Sequence, residues 1–134
     1  MNEPADIEAI RRLKAQYCYA VDGGRADEVA ELFADNAMCD LESFGGKHQG
    51  RDDIRAFYRK LLARRLPSIH SVSNPLITVD GDHATGLWYL MVAVIREGEL
   101  NPLRIVARYH DRYVRERGAW KIAEMRLETL HRNL

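Results

Sequence analysis

At Pro67 the hydrophobic period of this chain changes from that of a helix to that of a strand, and it does not change back. Upstream, apolar residues at 7, 10, 13, 17 and 21 keep to one helical face. Asp6 is placed to cap that helix, and Gly23-Gly24 to stop it. A second, short helix is expected from Asp27, carrying Val29, Leu32 and Phe33, until Ala34-Asp35-Asn36 breaks its pattern. Ala37 to Phe44 alternates as a strand does and ends at Gly45-Gly46. Gly50-Arg51-Asp52-Asp53 caps a third helix, whose stripe is Ile54, Phe57, Tyr58, Leu61 and Leu62, and Pro67 ends it. Beyond Pro67 the alternation predicts four long strands: Ile69 to Val79, Ala84 to Arg96, Leu103 to Arg115 and Trp120 to His131. Turns fall at Asp80-Gly81-Asp82, around Gly98 to Pro102 and at Gly118, so the strands should pair in series as an antiparallel meander.

Helices first and sheet afterwards give an α+β fold, with the helices on one face of a curved sheet. The run Leu87 to Ile95 is apolar at both parities, so that strand needs cover on both faces. Helices supply one cover; a second subunit is the economical source of the other, which predicts a homodimer, or a trimer, assembled through the sheet. A chain of 134 residues with 46% hydrophobic content suits one domain with a real core. Twenty basic residues balance 20 acidic ones, which leaves no overall pull toward nucleic acid or an anionic membrane. Cys18 and Cys39 lie in apolar segments without metal-ligand spacing and read as reduced core thiols. The longest apolar run, Leu87 to Ile95, is far below the ~20 residues of a membrane span, and a cytoplasmic protein is expected. No Gly-rich phosphate loop, metal-ligand cluster or nucleophile motif is present, so no cofactor is expected.

Two residues point to chemistry. Asp22 closes the first amphipathic helix just before Gly23-Gly24, where a carboxylate can be buried yet reach a cavity, and His70 lies in Ile69-His70-Ser71-Val72-Ser73-Asn74. An imidazole, with an ordinary pKa of about 6.5, can take a C–H proton near neutral pH, and a carboxylate on its far nitrogen fixes the tautomer and stabilises the imidazolium. Bland alternatives stand beside this: Asp22 suits a turn, His70 a hydrogen-bonded core histidine, and Tyr17 a packing role, although its hydroxyl could also anchor a substrate oxygen. His110, in a strand with charged outward positions, reads as a solvated or interface side chain, and His48 and His83 as surface residues. Trp120 reads as the core anchor of the last strand.

The order and spacing of several segments resemble a known superfamily. They are Ala9-Ile10 through Tyr17 to Val21-Asp22, Leu32-Phe33-Ala34-Asp35-Asn36-Ala37, Gly50-Arg51-Asp52-Asp53-Ile54, Ile69 to Asn74, Val79-Asp80-Gly81-Asp82-His83-Ala84, Arg108-Tyr109-His110-Asp111-Arg112-Tyr113 and Gly118-Ala119-Trp120-Lys121-Ile122. Together they resemble the SnoaL-like branch of the nuclear-transport-factor-2-like superfamily, which holds ketosteroid isomerase, scytalone dehydratase and hexachlorocyclohexane dehydrochlorinase. The resemblance implies a cone-shaped α+β barrel: three N-terminal helices packed in a strongly curved, mainly antiparallel sheet that encloses a deep apolar pocket. It implies an Asp–His dyad at positions 22 and 70 and a small apolar cyclic or polyketide-like substrate undergoing elimination or double-bond migration. Substrate contacts are expected from Tyr17, Tyr89, Met125 and Arg126; some relatives carry a basic residue near the end of the last strand, and the register places Met125 there. The terminal patterns are also similar to the small subunit of ring-hydroxylating dioxygenases, which implies an assembly role instead, and ligand binding without turnover is a further alternative.

Overall fold

Three helices and six strands account for the chain in a computed structural model that describes residues 3–64 and 66–133. The helices are α1 (Glu3–Asp22), α2 (Ala26–Glu31) and α3 (Arg51–Leu62); the strands are β1 (Phe33–Asp40), β2 (Lys47–Gln49), β3 (Ser68–Asp80), β4 (His83–Val94), β5 (Leu103–Glu116) and β6 (Ala119–Arg132). β3 to β6 form the predicted meander, and β1 joins it by pairing in parallel with β6. The sheet runs β2-β1-β6-β5-β4-β3 and does not close on itself, so β2 and β3 are its edges. α1 packs against β3, and α3 against β1 and β2. No helix among the described residues is long and apolar enough to cross a membrane.

Inward positions of the sheet meet one stripe from each long helix. Ile10, Leu13, Tyr17 and Val21 of α1 and Ile54 and Tyr58 of α3 are buried together with Trp88, Leu90, Val92, Ile105, Tyr109, Tyr113, Ile122, Met125 and Leu127. Trp120 is buried as expected, and both cysteines are free and buried. Gly86 occupies an inward position because a Cβ there would lie 2.9 Å from the Tyr113 ring and 3.1 Å from Trp88 Nε1. An asymmetry follows from the single layer of helices. On β4 the inward Trp88, Leu90 and Val92 are buried, while the outward Tyr89 and Met91 remain 44% and 62% exposed.

The expected element bounds need three corrections. Asp6 does not cap α1, which already runs from Glu3; it sits in the first turn, where its carboxylate accepts from Arg115 Nη1 at 2.5 Å and Trp120 Nε1 at 3.2 Å. α2 ends at Glu31, and Phe33, which fits the apolar stripe of a helix, instead opens β1. β1 stops at Asp40, and Glu42–Phe44 forms a single 3-10 turn that leads to the unforeseen β2. On β3 the register shifts between Ser73 and Leu76, with Asn74 at φ 54°. That bulge switches parity: Ser68, His70 and Val72 are shielded before it and Ile77 and Val79 after it. An edge strand tolerates Pro75 at this point because the missing N–H costs no ladder bond to a further strand.

Candidate active site

Asp22 reaches the site because α1 ends abruptly. Arg25 N donates to Ala20 O at 2.9 Å and Gly24 N to Val21 O at 3.1 Å, with Gly24 at φ 71°. This pair of bonds around a left-handed glycine is a Schellman stop, and it leaves Asp22 in the last turn. A carboxylate there faces the negative end of the helix dipole, and the last turn of α1 contains no basic residue. The compensation comes from β3. Ser68 Oγ donates to Asp22 Oδ1 at 2.8 Å, the His70 backbone N–H to Oδ2 at 2.9 Å, and His70 Nδ1 lies 2.6 Å from Oδ1.

Partial burial pushes the Asp22 carboxyl upward, but the bonds from the His70 ring, the His70 backbone and Ser68 outweigh it and hold the group below its ordinary value. Ionised Asp22 can only accept, so Nδ1 of neutral His70 carries the proton and Nε2 keeps the basic lone pair. The side chains of His70 and Asp22 are 16% and 20% exposed, which shields them without sealing them off.

Both residues line a cavity of about 460 Å³ between the helices and the inner face of the sheet. The volume falls within the roughly 300–1,000 Å³ of small-molecule sites. Its floor consists of the buried Tyr17, Tyr58, Tyr109, Leu90 and Leu127; its mouth is marked by the exposed Gly23, Leu61, Arg64, Leu66 and Pro67. Tyr17 and Tyr58 hydroxyls are 2.6 Å apart, and Cys39 Sγ lies 3.8 Å from Tyr58. Burial first, and then neighbouring ionisable groups, push the phenols of Tyr17, Tyr58 and Tyr109 well above 10, so the floor presents neutral hydroxyls. Burial likewise raises Cys18 to about 11 and Cys39 to about 12, which keeps both as thiols. Among the described residues no group of three or more His, Cys, Asp or Glu is placed to hold a metal ion.

The expected site residues fall into two groups. Asp22, His70 and Tyr17 meet at the cavity; Tyr89, Met125 and Arg126 lie off it. Tyr89 is on the outer face of β4, beneath the Arg108 guanidinium at 5.6 Å. Arg126 is exposed, between the inward Met125 and Leu127 on β6, and Leu127 is the residue that lines the cavity. Met125 is fully buried in the core, where its sulfur meets Lys14 Nζ at 3.4 Å. His110 pairs with Glu128 at 2.9 Å outside the cavity. Ser68 and Tyr58 went unrecognised in the sequence. Ser68 carried a usable signal, since it precedes His70 by two and therefore shares its side of the strand.

The SnoaL-like domain family model matches residues 2–126. The chain belongs to the SnoaL-like family. An uncharacterized protein of Mycobacterium tuberculosis (strain H37Rv) is 26% identical over 128 residues, covering 95% of this chain and 86% of its own. Among solved structures, a Novosphingobium aromaticivorans protein provisionally named scytalone dehydratase superimposes with a TM-score of 0.89 at 21% identity, covering 98% of this chain and 88% of that one. A hexachlorocyclohexane dehydrochlorinase from Novosphingobium barchaimii superimposes with a TM-score of 0.83 at 20% identity, covering 98% and 90%. At these identities the structural likenesses establish the shared fold.

Proposed function

We propose that this SnoaL-like protein is a cofactor-independent lyase or isomerase acting on a small apolar molecule, cyclic or polyketide-like, through an Asp22–His70 general acid/base dyad. The observation that carries the reading is the 2.6 Å contact between His70 Nδ1 and Asp22 Oδ1 in the wall of an apolar cavity. His70 Nε2 removes a proton from a carbon acidified by a neighbouring carbonyl, and Asp22 stabilises the imidazolium that forms. Tyr17, backed by Tyr58, donates a hydrogen bond to the substrate oxygen as negative charge develops there. Loss of a β-hydroxyl with the proton returned from the imidazolium gives an alkene and water; return of the proton to another carbon moves a double bond. Two structural neighbours are named for eliminations, a dehydration and a dehydrochlorination, which supports this class of reaction.

The test is a screen of cyclic alcohols, β-hydroxy ketones and enones for elimination or double-bond migration, run with the wild type and with His70→Gln. Turnover by the wild type that falls by about 10² or more in the variant supports the reading. A substrate turned over equally by both sinks it. The second reading, an assembly module similar to a dioxygenase small subunit, draws on a different observation: the exposed Ile69, Leu76, Tyr89 and Met91 of the outer sheet face. Under that reading the outer face, and not the cavity, carries the function.

A further inference from the structure

Besides its tyrosines, three ionisable side chains line the cavity, and two of them, Asp22 and His70, are bonded to one another. Asp22 accepts from Ser68 and twice from His70, which takes up both lone pairs of Oδ1 and one of Oδ2. The third is Arg64, just past the end of α3 and exposed at the mouth between Leu61 and Leu66. The arginines before it on α3 are tied down: Arg59 bonds Asp27 at 2.8 Å, and Arg55 bonds Glu31 at 2.6 Å and Asp52 at 3.1 Å. Among the described residues Arg64 has no such partner.

We infer that the ligand of this cavity is an apolar molecule bearing one terminal anionic group, a carboxylate, which pairs with Arg64 at the mouth while the apolar body fills the space down to the tyrosine floor. This names the substrate class for the proposed acid/base site and rests on that reading for where the reacting carbon lies. The layout orders the groups from outside inward: a cation in solvent, the half-shielded His70, then apolar walls from Leu90, Val92, Ile105 and Leu127. Such a gradient fits an amphiphile, which can keep its charge hydrated at the mouth and bury the rest. With His70 neutral the cavity lining already balances Asp22 against Arg64, and pairing the ligand's anion with an exposed guanidinium avoids placing a second negative charge beside Asp22. A guanidinium also meets a carboxylate in a planar two-bond geometry that lysine cannot supply.

The experiment uses 2-naphthylacetate and, as its neutral isostere, 2-naphthylacetamide, with dissociation constants measured by calorimetry at pH 7.5 on the full-length protein. The wild type should prefer the acid by about two- to fivefold, the scale of an exposed ion pair, and the preference should shrink as salt is raised. Arg64→Gln should abolish it, Arg59→Gln should leave it intact, and His70→Gln should leave it intact too, so that failure of the acid/base reading does not remove the anion subsite. A wild-type preference for the amide, a preference that survives in Arg64→Gln, or failure of both probes to bind at millimolar concentration would each overturn the assignment.

Discussion

Asp22 holds His70 at two points: Oδ1 meets the ring Nδ1 at 2.6 Å while Oδ2 accepts the backbone N–H of the same residue at 2.9 Å. One carboxylate thus fixes both the position of β3 and the rotamer and tautomer of the imidazole it carries. The two functions can be separated. Asp22→Asn keeps one oxygen acceptor but cannot stabilise an imidazolium, whereas Ser68→Ala removes one bond and leaves the charge.

Turnover should therefore fall by about 10² or more in Asp22→Asn, and by less in Ser68→Ala. The double variant Asp22→Asn with His70→Gln should be little worse than either single one, because both residues serve one proton transfer. Multiplicative losses in kcat/KM would show that they act independently and would refute the dyad.

The same bonds make stability depend on pH. The folded-state pKa of Asp22 is depressed, so the proton binds the unfolded chain more readily. The stabilisation is present above the unfolded carboxylate pKa of about 3.9 and is lost as pH falls through the lower folded value. Urea midpoints should accordingly separate wild type from Asp22→Asn at pH 7 and draw together near pH 3. A gap that widens on acidification would contradict the assignment of the shift to this carboxylate.

Much of this site was legible in the sequence because its determinants are local. A Gly-Gly stop after an apolar helical stripe marked Asp22, and alternation after Pro67 marked the strand that holds His70. The meander was legible for the same reason: long alternating runs separated by turn glycines define their own partners. What was not legible depends on contacts distant in sequence. The parallel pairing of β1 with β6 has no local signature, and β2, three polar residues long, has no alternation to read. Tyr58 does lie on the apolar stripe of α3, but nothing near it in sequence shows that its hydroxyl meets that of Tyr17. Tyr89 and Arg126 each stand one residue away from a cavity-lining leucine, Leu90 and Leu127, and that displacement of one residue puts each on the opposite face.

A buried ion pair was missed altogether. Lys14 Nζ and Asp111 stand 2.8 Å apart with both side chains inaccessible; the ammonium lies 3.5 Å from the Tyr109 ring centroid, and Asp111 also accepts from Tyr113 at 2.6 Å. Removing one member leaves the other charge buried and unpaired, so Lys14→Met or Asp111→Asn should each cost about 3–5 kcal/mol in denaturant unfolding. The double variant should recover most of that loss, since the desolvation of both charges is relieved together. Two single costs that simply add would show that the pair is not coupled.

The outer face of the sheet sets the last expectation. Ile69, Leu76, Tyr89 and Met91 are exposed on neighbouring strands, a grouping that a soluble monomer seldom leaves uncovered. The edge of β3 is a poor site for strand addition, because the Asn74-Pro75 bulge interrupts its ladder, so association should run face to face rather than edge to edge. Light scattering at tens of micromolar should therefore give a dimer, or a trimer formed through the same face. Met91→Glu combined with Ile69→Lys should yield a folded monomer, because both positions are outward and neither contributes to the core. A wild-type monomer at that concentration would show that these residues remain in water, and the exposed face would then need an occupant other than a second copy of the chain.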